Sequence, residues 1–408
     1  MTSTRYLLIG SGLAAGEAAK RIREHDPQGS ILMVGEEAHV PYDRPPLSKE
    51  FLRGQKSRTE LYFTQESEWQ ERHVALALGV SATKLDAARK KATLSNGQTV
   101  GFEKALIATG GHPVRLILPG SKLAGIHYLR TLEDAVAIGG EASQGKQAVV
   151  IGAGFIGLEV AASLTQLGVQ VTVVEAKPHI WSLFADEALT TFVQDYCTAK
   201  GVIFHTGETV TEFRGKGRVS TVVTKSGRSL PCDFVCVGAG IVPNVKLAQQ
   251  AGLEVDNGIV VNEYLQTSHP EIYAAGDVAN FQDPLFGKRR RVEHWGHAEY
   301  SGQMAGDNLT GNRTKYDLLT YVWSDIFDLH LEFAGDETEH DQVLLRGKPA
   351  DKKFLVLYLK EKVLRAYFAV NAGSKEFPAL QRLIRQKTNL TGKTGQLKDP
   401  SVPIKSLA

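Results

Sequence analysis

Two nearly parallel glycine signatures, Gly10-Ser11-Gly12-Leu13-Ala14-Ala15-Gly16 and Gly152-Ala153-Gly154-Phe155-Ile156-Gly157, each sit between an apolar run and an amphipathic one. The first glycine lets the backbone turn sharply, the second lets it approach a pyrophosphate, and the third lets helix and strand pack closely. The helix N-terminus that follows offers N–H donors and a positive dipole end to phosphate. A lone GxGxxG is a weak signal, because glycine also marks ordinary turns. One copy in a strand-turn-helix context suggests a dehydrogenase; two copies suggest a flavin reduced by a nicotinamide.

In the first copy, Tyr6-Leu7-Leu8-Ile9 reads as a buried strand, Leu13 to Glu24 as a helix, and Ile31-Leu32-Met33-Val34 as the next strand, ending at Glu36. In the second, Ala148-Val149-Val150-Ile151 leads in, Phe155 to Leu167 is helical with Gly168 closing it, and Val171-Thr172-Val173-Val174 runs into Glu175. An acid at that strand end can hold ribose hydroxyls and repels a 2′-phosphate. No Arg follows Glu175 immediately, although Lys177 is near, so the pattern favours NADH over NADPH. Either acid can instead simply end its strand in solvent. Both halves then repeat one order of elements. A turn at Ser95-Asn96-Gly97 precedes Ala105-Leu106-Ile107-Ala108 and Thr109-Gly110; a turn at Ser226-Gly227-Arg228 precedes Phe234-Val235-Cys236-Val237 and Gly238-Ala239-Gly240. A later strand, Ile272-Tyr273-Ala274-Ala275, enters Gly276-Asp277 beyond the second unit and is expected to return to the first domain.

The expected fold is therefore α/β, with two Rossmann-like dinucleotide-binding domains and a C-terminal α+β domain. Residues 1–113 and 243–316 form the FAD domain, 114–242 the NADH domain and 317–408 the last, with Pro113, Leu118-Pro119-Gly120 and Val242-Pro243 marking the crossings. In the last domain, Lys353 to Leu359 and Val363 to Val370 form a hairpin around Lys360-Glu361-Lys362, and Phe377 to Gln386 is an amphipathic helix. With 408 residues, 42% of them hydrophobic, the chain can bury two or three cores. A net charge of +2 argues against a general nucleic-acid binder, and no apolar run approaches the length of a membrane span. A cytoplasmic monomer or homodimer is expected, and no metal ligands are assigned. Cys197, Cys232 and Cys236 are too few for a disulfide framework. Cys232 and Cys236 fall on one predicted strand, where four residues span about 13 Å, beyond disulfide reach. Electrons must then leave a flavin directly, without a thiol pair.

At Pro41-Tyr42-Asp43-Arg44-Pro45-Pro46-Leu47-Ser48-Lys49 the chain resembles the FAD-dependent, NADH-oxidising ferredoxin reductases of bacterial oxygenase systems, a glutathione-reductase-like group related to apoptosis-inducing factor and monodehydroascorbate reductase. Ala108-Thr109-Gly110-Gly111, Ala275-Gly276-Asp277 and Trp323-Ser324-Asp325 extend the resemblance over essentially the full length. The resemblance implies that Glu36, Glu37 and Arg44 bind the adenosine end of FAD, that Val80 contacts adenine through its backbone, and that Asp277 holds the ribityl chain. It adds the loop residues Gly10, Gly12, Leu13, Ala14, Ala108, Thr109, Gly110, Gly276, His294 and Trp295 to the FAD site. Gly152, Gly154, Phe155, Ile156, Gly157, Glu159, Glu175, Gly238 and Gly240 fall to the nicotinamide side. Lys49 would lie beside the flavin opposite Glu159, with Trp323 between flavin and partner.

Each role has a plainer alternative. Pro45-Pro46 forces an extended approach after which Leu47 to Leu52 can start a helix, leaving Lys49 a solvated helix residue. Glu159 reads as a first-turn carboxylate stabilised by the helix dipole, and Trp323 can be core. Val292-Glu293-His294-Trp295-Gly296-His297-Ala298 is closer to the apoptosis-inducing factor and monodehydroascorbate branches, and Ile326 replaces the Gln common in the bacterial reductases, putting hydrogen bonding at that rim in doubt. A helix beginning near Trp295 would place its dipole at the flavin's pyrimidine edge. Lys288-Arg289-Arg290-Arg291 can steer an acidic partner or be a solvated loop. The expected activity is hydride transfer from NADH to FAD and single-electron delivery to a [2Fe-2S] ferredoxin. The alternatives are an NADH-dependent reductase of a quinone, radical, ferric chelate or oxygen, and an NADH-sensing interaction protein.

Overall fold

The computed structural model describes residues 2–184, 186–373 and 375–407. Contacts divide the chain into two compact units, Met1–Asp43 with Ser57–His112 and Ile241–Thr320, and Arg44–Lys56 with Pro113–Gly240 and Tyr321–Ala408.

The first unit is built on a seven-stranded sheet. Its parallel part runs Val74–Leu78, Ile31–Gly35, Thr2–Ile9, Thr99–Ile107, with the returning strand Ile272–Ala274 on the far side of Thr99–Ile107. Ala82–Asp86 and Lys91–Leu94 add an antiparallel hairpin, and the turn at Asn96-Gly97, where the Gly97 N–H donates to the Leu94 carbonyl, joins Lys91–Leu94 to Thr99–Ile107. The apolar runs are continuous because both faces of a parallel sheet are covered. One cover is the helix Leu13–His25, which packs on the helix Trp295–Leu309 at backbone distance: a Cβ on Gly302 would stand 2.4 Å from the Ala14 carbonyl oxygen.

The second unit repeats the plan in a five-stranded parallel sheet, Ile203–Thr206, Gln170–Glu175, Gln147–Ile151, Phe234–Val237, Ile126–Tyr128. The helix Phe155–Gln166 follows the second glycine loop, one residue shorter than the sequence predicts because Leu167 caps it. Cys232 lies between the strands Ser229–Pro231 and Phe234–Val237, so the two cysteines do not share a strand as expected; Cys236 alone is inside one.

The C-terminal part of this unit is a five-stranded antiparallel sheet, Tyr321–Ile326, Leu329–Gly335, Val363–Val370, Lys353–Lys360, Gln342–Lys348. Its central hairpin turns on two residues, Glu361 and Lys362, both at positive φ (50° and 64°), as a right-twisted two-residue hairpin requires. Lys360 belongs to the strand. The helix Phe377–Arg385 covers Val363–Val370. Behind it, the buried Arg346 guanidinium donates to the carbonyls of Leu397 and Val402, at 3.1 and 3.0 Å, and to the Glu376 carboxylate at 2.9 Å, clasping the end of the chain. The rings of Phe155, Trp181, Phe184, Phe333 and Phe368 join the start of the second-loop helix to this sheet, with Phe155–Trp181 centroids 5.0 Å and Phe184–Phe368 centroids 4.9 Å apart.

Candidate active site

The two glycine loops are geometric twins. Gly10 N–H donates to the Val34 carbonyl at 2.8 Å and Gly152 N–H to the Val174 carbonyl at 2.8 Å. Ala108 N–H donates to the Ile9 carbonyl and Gly238 N–H to the Ile151 carbonyl, at 2.8 and 2.7 Å. At φ +120° Gly10 brings its Cα so close to the next strand that a Cβ would stand 2.2 Å from the Ala108 oxygen; at φ +97° Gly152 does the same to the Gly238 oxygen at 2.4 Å. Gly157 closes the second loop, since its Cβ would stand 2.0 Å from the Gly152 oxygen. Ala15, fully buried, holds the third position of the first loop.

Gly12 and Gly154 differ in kind. Their backbones are extended (φ −88° and −76°), and nothing lies within 4 Å of where a Cβ would stand. Neither packing nor dihedral angle demands glycine there. No side chain caps either helix that follows, so the first N–H groups, beginning at Leu13 and Phe155, have no capping side-chain acceptor among the described residues. An uncapped helix start beside a glycine whose missing side chain leaves room fits a pyrophosphate at both loops.

Around the first loop the structure gathers most of the residues expected there. Gly35 lies against Ser11, which puts the following Glu36 at the loop. Glu36 is exposed, while Glu37 accepts from the Tyr42 hydroxyl at 2.5 Å. Val80 N–H is taken by the Gly35 carbonyl at 2.8 Å, so a backbone contact to adenine falls to its carbonyl. Thr109 and Gly110 are pinned to Asn244 by three bonds of 2.8 to 2.9 Å. Gly276 lies over Ala14, its Cβ position 3.1 Å from the Ala14 Cβ. One helix grips both polar atoms of Gly276: Ser301 Oγ accepts from its N–H at 2.9 Å, and His297 Nε2 lies 3.3 Å from its carbonyl. The adjacent Asp277 is thus placed by the helix Trp295–Leu309. His294 caps that helix; its Nδ1 is buried without a partner among the described residues, and burial pushes its imidazole down to about 3. Trp295 Nε1 donates to Asp43 at 2.9 Å. His297 is fully buried between Phe281 and the Tyr316 hydroxyl, 2.6 Å from its Nδ1, and burial lowers it to about 4.

Around the second loop, Glu175 belongs to its strand and bends back over the glycines: its carboxylate accepts from Ala153 N–H at 2.7 Å and Lys177 N–H at 2.8 Å. Phe155 packs on Trp181, Ile156 is exposed, and Gly240 turns at φ +104°.

The second unit also holds a buried ion pair. Lys49 Nζ lies 3.2 Å from Glu159 Oε1, with both residues at most 5% exposed. The expected helix from Leu47 to Leu52 is instead a short 3-10 turn, Pro45–Ser48, which Lys49 ends by leaving the helical region at φ −125° and ψ −107°. Lys49 is therefore no solvated helix residue. Glu159 is the fifth residue of its helix, not a first-turn carboxylate, so the dipole does not account for it. Glu159 and Ser163, four apart on one helix face, both hold the turn: Ser48 Oγ donates to Glu159 Oε2, and Ser163 Oγ donates to the Ser48 carbonyl at 2.7 Å. Ser324 Oγ donates to Glu159 Oε1 at 2.7 Å. Sequence reasoning assigned no role to Ser48, Ser163 or Ser324; the one signal was that Ser48 and Ser324 adjoin Lys49 and Trp323. Arg44, in the same unit, donates to the Arg130 carbonyl at 2.5 Å.

Trp323 is half-buried and stacked on Tyr321, centroids 6.3 Å apart, rather than sunk in core. Ile326 is fully buried, so it lies at no rim. The basic run is not a solvated loop, although Arg289 in it is exposed. Lys288–Arg290 is a strand, Arg289 donates to the Val261 and Asn280 carbonyls, and Arg290, 12% exposed in its side chain, pairs with the buried Asp283 at 2.9 Å. The three cysteines are free and buried, and desolvation pushes each thiol up to about 12. Among the described residues no His, Cys, Asp and Glu cluster fits a metal ion, and no helix is long and apolar enough to cross a membrane.

Residues 4–302 match the family model described as pyridine nucleotide-disulphide oxidoreductase, and residues 321–408 match that of the reductase C-terminal domain. The chain belongs to the pyridine nucleotide-disulphide oxidoreductase family. It is 33% identical to the ferredoxin–NAD(+) reductase component of the anthranilate 1,2-dioxygenase system of Burkholderia cepacia, over 100% of both chains. It is 32% identical to putidaredoxin reductase of Pseudomonas putida, over 98% of this chain and 96% of that protein. Its structure is similar to that of the reductase in a covalent putidaredoxin reductase–putidaredoxin complex, with a TM-score of 0.95 at 31% identity over 100% of this chain and 98% of that one. The fold is thus two Rossmann-like halves with a C-terminal α+β domain, and the protein is a flavin-dependent oxidoreductase.

Two predictions test this geometry. In protein freed of nucleotide, Gly12→Ala should leave the unfolding free energy within about 0.5 kcal/mol while Gly10→Ala lowers it by about 3 kcal/mol, read from denaturant midpoints. His297 is held neutral in the fold, so its contribution is complete above its unfolded pKa near 6.5 and is lost as acid protonates the unfolded chain first. Between pH 7 and pH 5 that loss should be about 2 kcal/mol, and His297→Gln should flatten the slope by that amount.

Proposed function

We propose that this enzyme takes a hydride from NADH onto FAD and passes electrons singly to a [2Fe-2S] ferredoxin. The observation that carries the reading is two equivalent pyrophosphate cradles in one chain that lacks any reactive thiol pair. FAD, when bound, supplies a hydride acceptor that can give its electrons up one at a time. The protein's part is binding and orientation. In this reading residues 1–113 and 243–316 bind FAD, 114–242 bind NADH, and 317–408 form the α+β domain. Glu36 takes the adenosine ribose of FAD, Asp277 the ribityl chain, and the helix starts at Leu13 and Phe155 take the two pyrophosphates. Lys49 and Glu159 adjoin the reacting rings, and Trp323, half-exposed, stands toward the acceptor. The ferredoxin assignment is supported by a relative that carries that name and is matched over its whole length. An NADH-fed enzyme with three free thiols fits a cytoplasmic location as monomer or homodimer.

Anaerobic reduction with NADH should bleach the flavin band near roughly 450 nm, and mixing with a [2Fe-2S] ferredoxin should restore it rapidly. Restoration by a quinone, ferric chelate or oxygen but not by ferredoxin would move the assignment to a small-acceptor reductase. A long-wavelength band persisting for minutes in air would favour an NADH sensor, and protein that stays colourless after reconstitution would reject the reading.

Glu175 is the NADH-selecting residue in this reading, and its carboxylate also ties down Ala153 and Lys177. Glu175→Gln removes the charge that repels a 2′-phosphate and keeps one acceptor oxygen for one of those two N–H groups. The kcat/KM preference for NADH over NADPH should fall about tenfold; an unchanged ratio would place ribose selection elsewhere.

A further inference from the structure

Lys49 does not saturate Glu159. An ionised carboxylate offers about four acceptor sites, and three buried donors reach this one: Lys49 Nζ and Ser324 Oγ on Oε1, and Ser48 Oγ on Oε2. Ser324 is fully buried, and its bond of 2.7 Å is shorter than the 3.2 Å of Lys49 to the same oxygen. The two serines therefore grip opposite oxygens of the carboxylate and set its plane, and the ammonium takes the position left to it. Lys49 has three N–H donors, of which Glu159 uses one. Side chains alternate along the strand Tyr321–Ile326, so Ser324 points inward next to the half-exposed Trp323.

We propose that Ser324 is a positioning residue: it orients Glu159, and through Glu159 the Lys49 ammonium, so that the spare N–H groups of Lys49 are aimed at the bound flavin and nicotinamide. This rests on the reading that the Lys49–Glu159 pair adjoins the reacting rings.

The test uses FAD-loaded enzyme carrying Ser324→Ala, Ser324→Thr, Glu159→Ala, and Ser324→Ala combined with Glu159→Ala. It reads the limiting rate of flavin reduction, its half-saturation by NADH, the visible spectrum of the oxidised flavin, and the thermal midpoint. Ser324→Ala should lower the limiting rate about tenfold with half-saturation within about twofold, and should perturb the oxidised flavin band. Ser324→Thr should restore both rate and spectrum. In the Glu159→Ala background the second substitution should add less than about twofold, as a residue acting only through Glu159 must. If Glu159→Ala is slow but Ser324→Ala reduces at the parental rate, the positioning role is overturned and the pair keeps its place. If Glu159→Ala is itself unaffected, the pair does not adjoin the chemistry and the proposal falls with it. Equal loss in the Ala and Thr variants, tracking a lowered thermal midpoint, would reduce Ser324 to a structural residue and also overturn it.

Discussion

A missing Cβ at each strand crossing is the constraint on which the two cradles depend. Gly10 and Gly152 lie so near the Ala108 and Gly238 carbonyls that any side chain would overlap an oxygen. That approach lets the strand-ending carbonyls of Val34 and Val174 take the glycine N–H groups, and it launches each helix with its first turn uncapped. At Gly12 and Gly154 neither contacts nor strain demand glycine.

The second organising element is electrostatic. Burying an ammonium and a carboxylate is unfavourable unless their remaining donors and acceptors are satisfied. Glu159 meets that condition by accepting from two serines as well as Lys49. The arrangement ties three separate pieces of the second unit together: the proline-led turn before Lys49, the helix after the second glycine loop, and the first strand of the C-terminal sheet. An arrangement of this kind fixes the orientation of its groups.

Thiol chemistry is absent from this plan despite the family's name. The three sulfurs are buried, unpaired and held as thiols. The C-terminal sheet presents Trp323 beside Tyr321 at its edge strand, while Arg346 fastens the chain end to the same sheet.

Local patterns sufficed for the strands, helices and turns around both glycine loops, because a GxGxxG turn, a 3.6-residue apolar period and a β-branched run each express short-range sterics that neighbours in sequence already impose. The order of the halves and the return of Ile272–Ala274 were legible for the same reason. Arg290 was misread because nothing in a run of basic residues announces a buried Asp283 several positions earlier. Lys49, Glu159 and Ser324 are far apart in the chain, and only tertiary packing decided that they share one buried carboxylate, since long-range burial and hydrogen bonding depend on which surfaces the fold brings together rather than on any spacing along it.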